Sequence, residues 1–252
     1  MKIFKPILVF VLLVSLVSCA RVPARPPVEY PSREIYPPMA PSAKRGDIYH
    51  EVGPGETVWR ISKMYDVKMS DIVKANRLRN INQLKTGQIL LIPNAGPLRP
   101  VIPLYPSKKW RYIIIHHTAT DEGNALRIDR LHLKRGFWQG LGYHFLIDNG
   151  TYGKLDGQIE ASPRWIKQMD GAHCNASGMN YKGIGIGLVG NFSKERVSKD
   201  QMDSLVYLLK ILMRYYKIPL SNVIGHGQVP YAATECPGKK FPWTELKQRL
   251  RQ

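Results

Sequence analysis

Apolar residues in the second half of the chain follow two kinds of pattern. Continuous apolar runs, RYIIIHH at 111–117 and GIGIGLVG at 183–190, are typical of strands buried on both faces. Helical spacing appears at 124–135 and again after Ser198 and Gln201, which match a capping box. The later helix carries one apolar face, formed by Met202, Leu205, Leu209, Leu212 and Tyr216. Strands alternating with helices predict an α/β domain over 109–252, with a mixed central β-sheet flanked by helices.

Two further segments complete this predicted domain. YHFLIDNGTYGKLDG at 143–157 is typical of a hairpin whose Asn149-Gly150 pair supplies the positive φ of a tight turn. Residues 222–225 are typical of a short strand. They run into GHGQVPYAATECPGKKF at 225–241, whose glycines and prolines favour a loop.

Residues 47–94 have a separate pattern and are predicted to form a small β-α-α-β domain. We expect a strand at 48–52, a helix at 57–65, a second helix with Ser70 as its N-cap, and a closing strand at 88–93. Proline-rich segments flank this domain. Residues 20–46 hold seven of the 19 prolines and are predicted to be a tether, and residues 95–108 a second linker.

The N-terminus has the pattern of an export signal. Lys2 and Lys5 precede an apolar run at 7–17, which is shorter than the roughly 20 residues that a membrane-spanning helix needs. Leu16-Val17-Ser18-Cys19 resembles a bacterial lipobox, which implies that residues 1–19 are a lipoprotein signal and that Cys19 is lipidated. Ala20 then implies sorting to the outer membrane, facing the periplasm. An ordinary signal peptide with an incidental cysteine is the alternative.

The formal charge of +18 is spread along the chain. No nucleic-acid-binding motif accompanies it, so we expect no nucleic-acid partner. A solvated basic surface explains the charge, and such a surface favours an acidic wall polymer or a membrane as partner.

Three side chains with metal-binding chemistry are predicted to meet at the ends of strands. His116 ends one apolar run, His226 ends another strand, and Cys236 follows in the loop. The ends of strands in α/β sheets carry ligand sites. Two imidazoles and one thiolate form a zinc ligand set that leaves a fourth position open. In an oxidising compartment, Cys236 could instead pair with Cys174 in a disulfide, and the spacing does not choose between these readings.

Four segments of the large domain resemble one enzyme family. IIIHHTAT, GYHFLIDNGT, GAHCNASGMNYKGIGIGLVGNF and GHGQVPYAATECPG are similar, in this order, to zinc-dependent N-acetylmuramoyl-L-alanine amidases, the family of phage-type amidases and peptidoglycan recognition proteins. The resemblance implies hydrolysis of the amide between N-acetylmuramic acid and L-alanine in peptidoglycan. It also implies roles for seven residues: zinc ligands His116, His226 and Cys236, catalytic residues Tyr143 and Thr234, and substrate-binding residues His173 and Asn180. The alternative for His173 and Asn180 is that they support the residues of the site without touching substrate.

One position departs from part of this family. Gly187 stands where members that recycle cytoplasmic muropeptides carry glutamate, so the general base stays unassigned. The alternative function is a non-catalytic, peptidoglycan-binding lipoprotein, and a hydrolase that a partner must activate is a third reading. We expect a monomer that binds peptidoglycan and contacts the membrane through its lipid.

The small domain resembles a LysM domain. The resemblance rests on the GET-W segment, the turn at Asn76 and TGQILLIP. It implies binding of N-acetylglucosamine-containing glycan through the loop after the first strand and the loop before the last. The residues implied are Gly55, Glu56, Thr57 and Asn76.

Overall fold

The computed structural model describes residues 33–37 and 44–252. The predicted signal peptide, Cys19 and most of the predicted tether lie outside the described residues. Within these two ranges, no helix combines the length and the apolar content that crossing a membrane requires.

The secondary structure alternates strands and helices, as the apolar pattern predicts. The strands are β1 (Arg33–Ile35), β2 (Gly46–Glu51), β3 (Ile89–Ala95), β4 (Ile102–Leu104), β5 (Tyr112–His117), β6 (Phe145–Asn149), β7 (Asp156–Ala161), β8 (Gly183–Leu188) and β9 (Val223–Gly225). The α-helices are α1 (Val58–Tyr65), α2 (Met69–Ala75), α3 (Ala125–Lys134), α4 (Pro163–Ile166), α5 (Met179–Lys182), α6 (Lys199–Tyr216) and α7 (Trp243–Arg251).

A five-stranded mixed sheet organises residues 101–251, which we call the large domain. Its strand order is β7-β6-β8-β5-β9, with β7 antiparallel to β6 and the other pairs parallel. Helix α6 packs on one face, where Leu205 and Leu209 join Ile113 and Phe145 in the main core. Helix α3 covers part of the other face, where Ile128 joins a smaller apolar cluster. The predicted α/β class with a mixed, helix-flanked sheet is therefore confirmed.

Residues 46–95, which we call the small domain, have their own apolar core. Strands β2 and β3 pair antiparallel, and α1 and α2 lie between them in sequence, which is the predicted β-α-α-β order. Val58, Ile61, Ile72 and Leu90 form the centre of a cluster separate from that of the large domain. The N-cap of α2 is Lys68, two residues before the predicted cap Ser70, because Lys68 holds the extended N-cap conformation and the helix begins at Met69.

Two segments expected to be linkers contain paired strands. Strand β1 lies inside the predicted tether and pairs antiparallel with β4, which lies inside the predicted linker 95–108. Ile102 and Leu104 are fully buried, because their apolar side chains contribute to the large-domain core. These proline-rich segments therefore have a restricted backbone but are not exposed linkers throughout, because part of each packs against the large domain.

Two other elements of the large domain differ from the prediction. The hairpin of β6 and β7 forms, but residues 150–155 connect its strands, so the Asn149-Gly150 pair begins a longer loop. Helix α7 was not predicted, although Leu246 is fully buried in the main core.

Candidate metal centre

The strand ends bring two histidines to one edge of the sheet. Strand β5 lies between β8 and β9 and is parallel to both. The carboxyl ends of parallel strands meet at the same edge. His116 occupies the end of β5, and His226 directly follows the end of β9. The fold thus places two imidazoles together although 110 positions separate them in the chain.

Cys236 completes a group of three ligand atoms. The loop that follows His226 folds back, with Gly227 N donating to Cys236 O at 2.7 Å. The ligand atoms of His116, His226 and Cys236 all lie within 4.8 Å of one another. His116 Nδ1 is 3.7 Å from Cys236 Sγ, close to the N···S separation of about 3.6 Å that tetrahedral zinc with ordinary bond lengths imposes. The donor set and its spacing therefore fit a zinc ion.

The protonation states of the three side chains also suit a cation. Burial, with neighbouring histidines, holds the pKa of His116 well below its ordinary value, and burial lowers the pKa of His226. Both imidazoles are thus neutral at pH 7, as metal ligands must be. Burial raises the pKa of the Cys236 thiol to about 12, so a bound cation is what would favour the thiolate.

His173 fixes the orientation of the His116 ring. His116 Nε2 lies 3.1 Å from His173 Nδ1, and His173 Nε2 lies 3.2 Å from Gly183 O. The carbonyl can only accept, so His173 carries its proton on Nε2 and accepts from His116 at Nδ1. His116 therefore carries its proton on Nε2 and turns an unprotonated Nδ1 towards Cys236. Of the two predicted roles of His173, the structure places it in the supporting one, because it is buried and positions a candidate ligand. Substrate binding by His173 stays a prediction.

We expect His173→Leu to lower zinc affinity by about 10- to 100-fold, the usual cost of losing an outer partner of a metal-bound histidine. His173→Asn is the matched variant, because an asparagine Oδ1 can replace the Nδ1 acceptor, and we expect it to recover most of the affinity. Competition with a chromogenic chelator measures both. Equal zinc affinity in wild type and His173→Leu would contradict the positioning role.

Tyr143 lies directly on strand β8. A Cβ placed on Gly187 would be 2.6 Å from Tyr143 Cδ2, and one on Gly185 would be 2.3 Å from His173 Cδ2. Real Cβ atoms do not approach this closely, so both rings require glycine beneath them. The Tyr143 hydroxyl donates to His117 O at 3.3 Å, and burial raises the pKa of this phenol, which keeps its proton. The glycines of GIGIG indicate in the sequence that something approaches this strand closely, and Gly185 and Gly187 are the two positions where the rings do so.

The remaining predicted residues of the large domain have definite positions. Thr234 is exposed, and its Oγ1 accepts from Cys236 N at 3.2 Å, which shapes the ligand loop. Asn180 Oδ1 accepts from His173 N and Cys174 N, both at 2.8 Å, so its carbonyl orders the His173 segment. Cys174 and Cys236 are both free, and the disulfide alternative does not form.

The glycan-binding residues predicted in the small domain are divided between surface and interior. Gly55 and Thr57 are exposed. The Glu56 carboxylate is buried, accepts from Gly53 N at 2.7 Å and lies 2.7 Å from His50 Nε2. The Asn76 amide bonds backbone groups of Ile72 and Leu91, linking α2 to β3. Their role towards glycan stays a prediction.

Comparison with known proteins identifies both domains. The family described as N-acetylmuramoyl-L-alanine amidase matches residues 106–239, more than half of the chain. The chain belongs to the N-acetylmuramoyl-L-alanine amidase family. A LysM domain matches residues 50–93, within the predicted small domain. The three candidate ligands therefore lie inside the amidase-family match.

Relatives of this amidase-family chain include recognition proteins and an amidase. It is 36% identical over 108 residues to peptidoglycan-recognition protein 2 of Holotrichia diomphalia, covering 40% of this chain and about half, 52%, of that protein. It is 30% identical to peptidoglycan-recognition protein SC2 of Drosophila melanogaster, covering 54% of this chain and 72% of that protein. A solved structure of an endolysin N-acetylmuramoyl-L-alanine amidase from Clostridium intestinale is 37% identical, covering 57% of this chain and 84% of that one, with a TM-score of 0.48.

Proposed function

We propose that this chain is a zinc-dependent peptidoglycan hydrolase that cleaves the amide between N-acetylmuramic acid and L-alanine of the stem peptide. The supporting observation is the convergence of His116, His226 and Cys236 within 4.8 Å, inside the match to the amidase family. A protein that only recognised the wall would have no need of this His₂Cys set.

Zinc held by these three side chains would supply a Lewis acid that lowers the pKa of water and polarises the scissile carbonyl. The chain's own residues prepare the site. His173 keeps the His116 Nδ1 lone pair free, and the Tyr143 phenol keeps its proton. By turning its one O–H proton from His117 O towards the substrate, Tyr143 Oη could donate a hydrogen bond to negative charge that develops on the substrate oxygen, a contribution that is strong in a buried site.

The cellular setting extends the proposal. The lipobox ending in Cys19 supports attachment to a membrane, and Ala20 supports the periplasmic face of the outer membrane. The LysM match supports binding of N-acetylglucosamine-containing glycan by the small domain. Attachment, glycan binding and amide cleavage together describe an enzyme acting on polymeric wall next to its membrane.

Digestion of purified sacculi tests the activity. With zinc we expect peptides that begin with L-alanine and glycan strands that end in free lactyl groups, both identified by mass. A chelator should stop the release, and added zinc should restore it, because the three ligands hold an exchangeable cation. Zinc-loaded protein that binds sacculi and releases neither product would favour the non-catalytic lipoprotein.

A further inference from the structure

A basic groove of about 510 Å³ lies between strand β1 and the second half of helix α6. Its cationic side chains are Arg33, Lys210, Arg214 and Lys217, and its apolar lining includes Leu104 and Ile211. No acidic side chain is among the described residues that line it. We call it the β1–α6 groove. Its chemistry suits a partner that carries negative charge.

The four cations of the groove are available to such a partner. All four are exposed, and none forms an ion pair with a described acidic side chain. Lys210, Arg214 and Lys217 follow the i, i+4, i+7 spacing of one helix face. Cations near the end of a helix also stabilise its dipole, but Arg33 comes from a separate strand and has no such role. Two elements thus supply the positive charge.

The groove lies on the side of the large domain that faces away from the metal centre. Helix α6 spans 18 residues, or about 27 Å. It begins at the metal-centre edge of the sheet, where Gln201 Nε2 donates to Val189 O at 2.8 Å just after β8 ends. It ends at the opposite edge, because residues 218–222 lead into the start of β9, and Asn222 Nδ2 donates to Arg111 O just before β5 begins. The cations follow the second half of this path.

The chain enters the large domain at the same end. Arg33 pairs with Leu104 of β4. The next residue, Tyr105, accepts a hydrogen bond at its carbonyl from the hydroxyl of Tyr216, the last residue of α6, at 2.9 Å. Arg33 is also the described residue closest in sequence to the proposed lipid attachment at Cys19. A lipid there would keep the groove at a high effective concentration of membrane headgroups.

We propose that the β1–α6 groove docks on a bilayer surface that contains anionic phospholipid headgroups. Each lysine or arginine held near such a surface adds to the attraction. Tyr207 and Tyr215, which also line the groove, have the amphipathic rings typical of membrane interfaces. An acidic wall polymer would be attracted by the same charge, but the position of the groove beside the proposed anchor favours the membrane. Docking would point the metal centre away from the bilayer, an orientation that serves the proposed hydrolase but does not depend on its activity.

Vesicle binding by residues 20–252 tests the docking without the lipid and keeps every residue that the structure describes. We expect binding to vesicles of phosphatidylglycerol and phosphatidylcholine in equal amounts, and none to pure phosphatidylcholine. Lys210→Gln combined with Arg214→Gln should weaken binding at least about 10-fold, because two cations are lost from the anionic surface. Lys134→Gln combined with Arg135→Gln is the matched control. It removes the same two charges at the end of α3, on the other face of the sheet, and should match wild type.

Acetylation of lysines locates the bound surface in wild type, without any substitution. The mixed vesicles should protect Lys210 and Lys217 and leave Lys134 fully reactive, as read by mass. Equal loss of binding in the two double variants, or protection of Lys134 alone, would overturn the docking site. Binding to dextran sulfate that needs Lys210 and Arg214, without binding to the vesicles, would assign the groove to an acidic polymer instead. Both double variants should digest sacculi like wild type, so a failure of the docking would be distinct from a failure of the amidase proposal.

Discussion

Cys236→Ser is expected to lower zinc affinity by more than about 100-fold, beyond the loss caused by removing an outer partner, and to stop amide cleavage. Serine cannot supply a thiolate, so His116 and His226 would remain as two neutral ligands of a set that needs three. The Cys236 side chain is almost fully buried, and its Sγ faces His116 Nδ1. No other described residue belongs to this ligand group, so nothing replaces the lost ligand.

Cys174→Ser is the matched control for this experiment. Cys174 is a buried free thiol, but its sulfur faces Ala176 O at 3.9 Å and is outside the ligand group. We expect the control to keep wild-type zinc affinity and to digest sacculi. Chelator competition and the release of L-alanyl peptides measure the two properties. If Cys236→Ser kept both, Cys236 would not be a zinc ligand.

Gly187→Ala is expected to reduce amide cleavage by about 100-fold, the cost of displacing a reacting group by about 1 Å. The added Cβ would lie 2.6 Å from Tyr143 Cδ2 and 2.7 Å from Tyr143 Cε2. Strand β8 is held by neighbours on both sides, so the Tyr143 ring must move, and its hydroxyl moves with it. Overpacking of this kind also costs about 1–3 kcal/mol of folding stability.

Gly46→Ala controls for the general effect of replacing a strand glycine, because nothing lies within 4 Å of its added Cβ. The rate of peptide release from sacculi and the midpoint of urea unfolding should both stay at wild-type values. Full activity of Gly187→Ala at normal zinc content would show that the position of Tyr143 does not matter to the reaction.

The candidate ligands could be proposed because each carries a local signal, and the family resemblance then favoured a metal site over a disulfide. His116 and His226 end apolar runs, and Cys236 lies in a loop of recognisable composition. The His116–His173 contact could not be predicted in this way, because it joins residues 57 positions apart and depends on where a loop folds over the sheet. Only the glycines of β8, which allow a ring to lie close to the strand, indicate the position of His173 in the sequence.

Contacts outside the metal centre could not be predicted from the sequence, for a different reason. Strands β1 and β4 have three residues each, too few to show a period, and their pairing depends on a core built by other segments. Residues 53–57 are polar and rich in glycine, which is typical of a loop exposed to solvent, yet Gly53 and Pro54 are buried. The burial of Gly53 depends on the large domain, because Glu160, about a hundred residues later in the chain, lies against it.

The pairing of β1 with β4 limits how far from the membrane an enzyme anchored at Cys19 could act. Arg33 is held on the large domain, so only residues 20–32 separate the body from the proposed anchor. A fully extended chain of this length spans at most about 45 Å. A free segment extending to residue 46 would reach about twice as far. The docked strand would therefore confine the proposed amide cleavage to wall material close to the membrane surface.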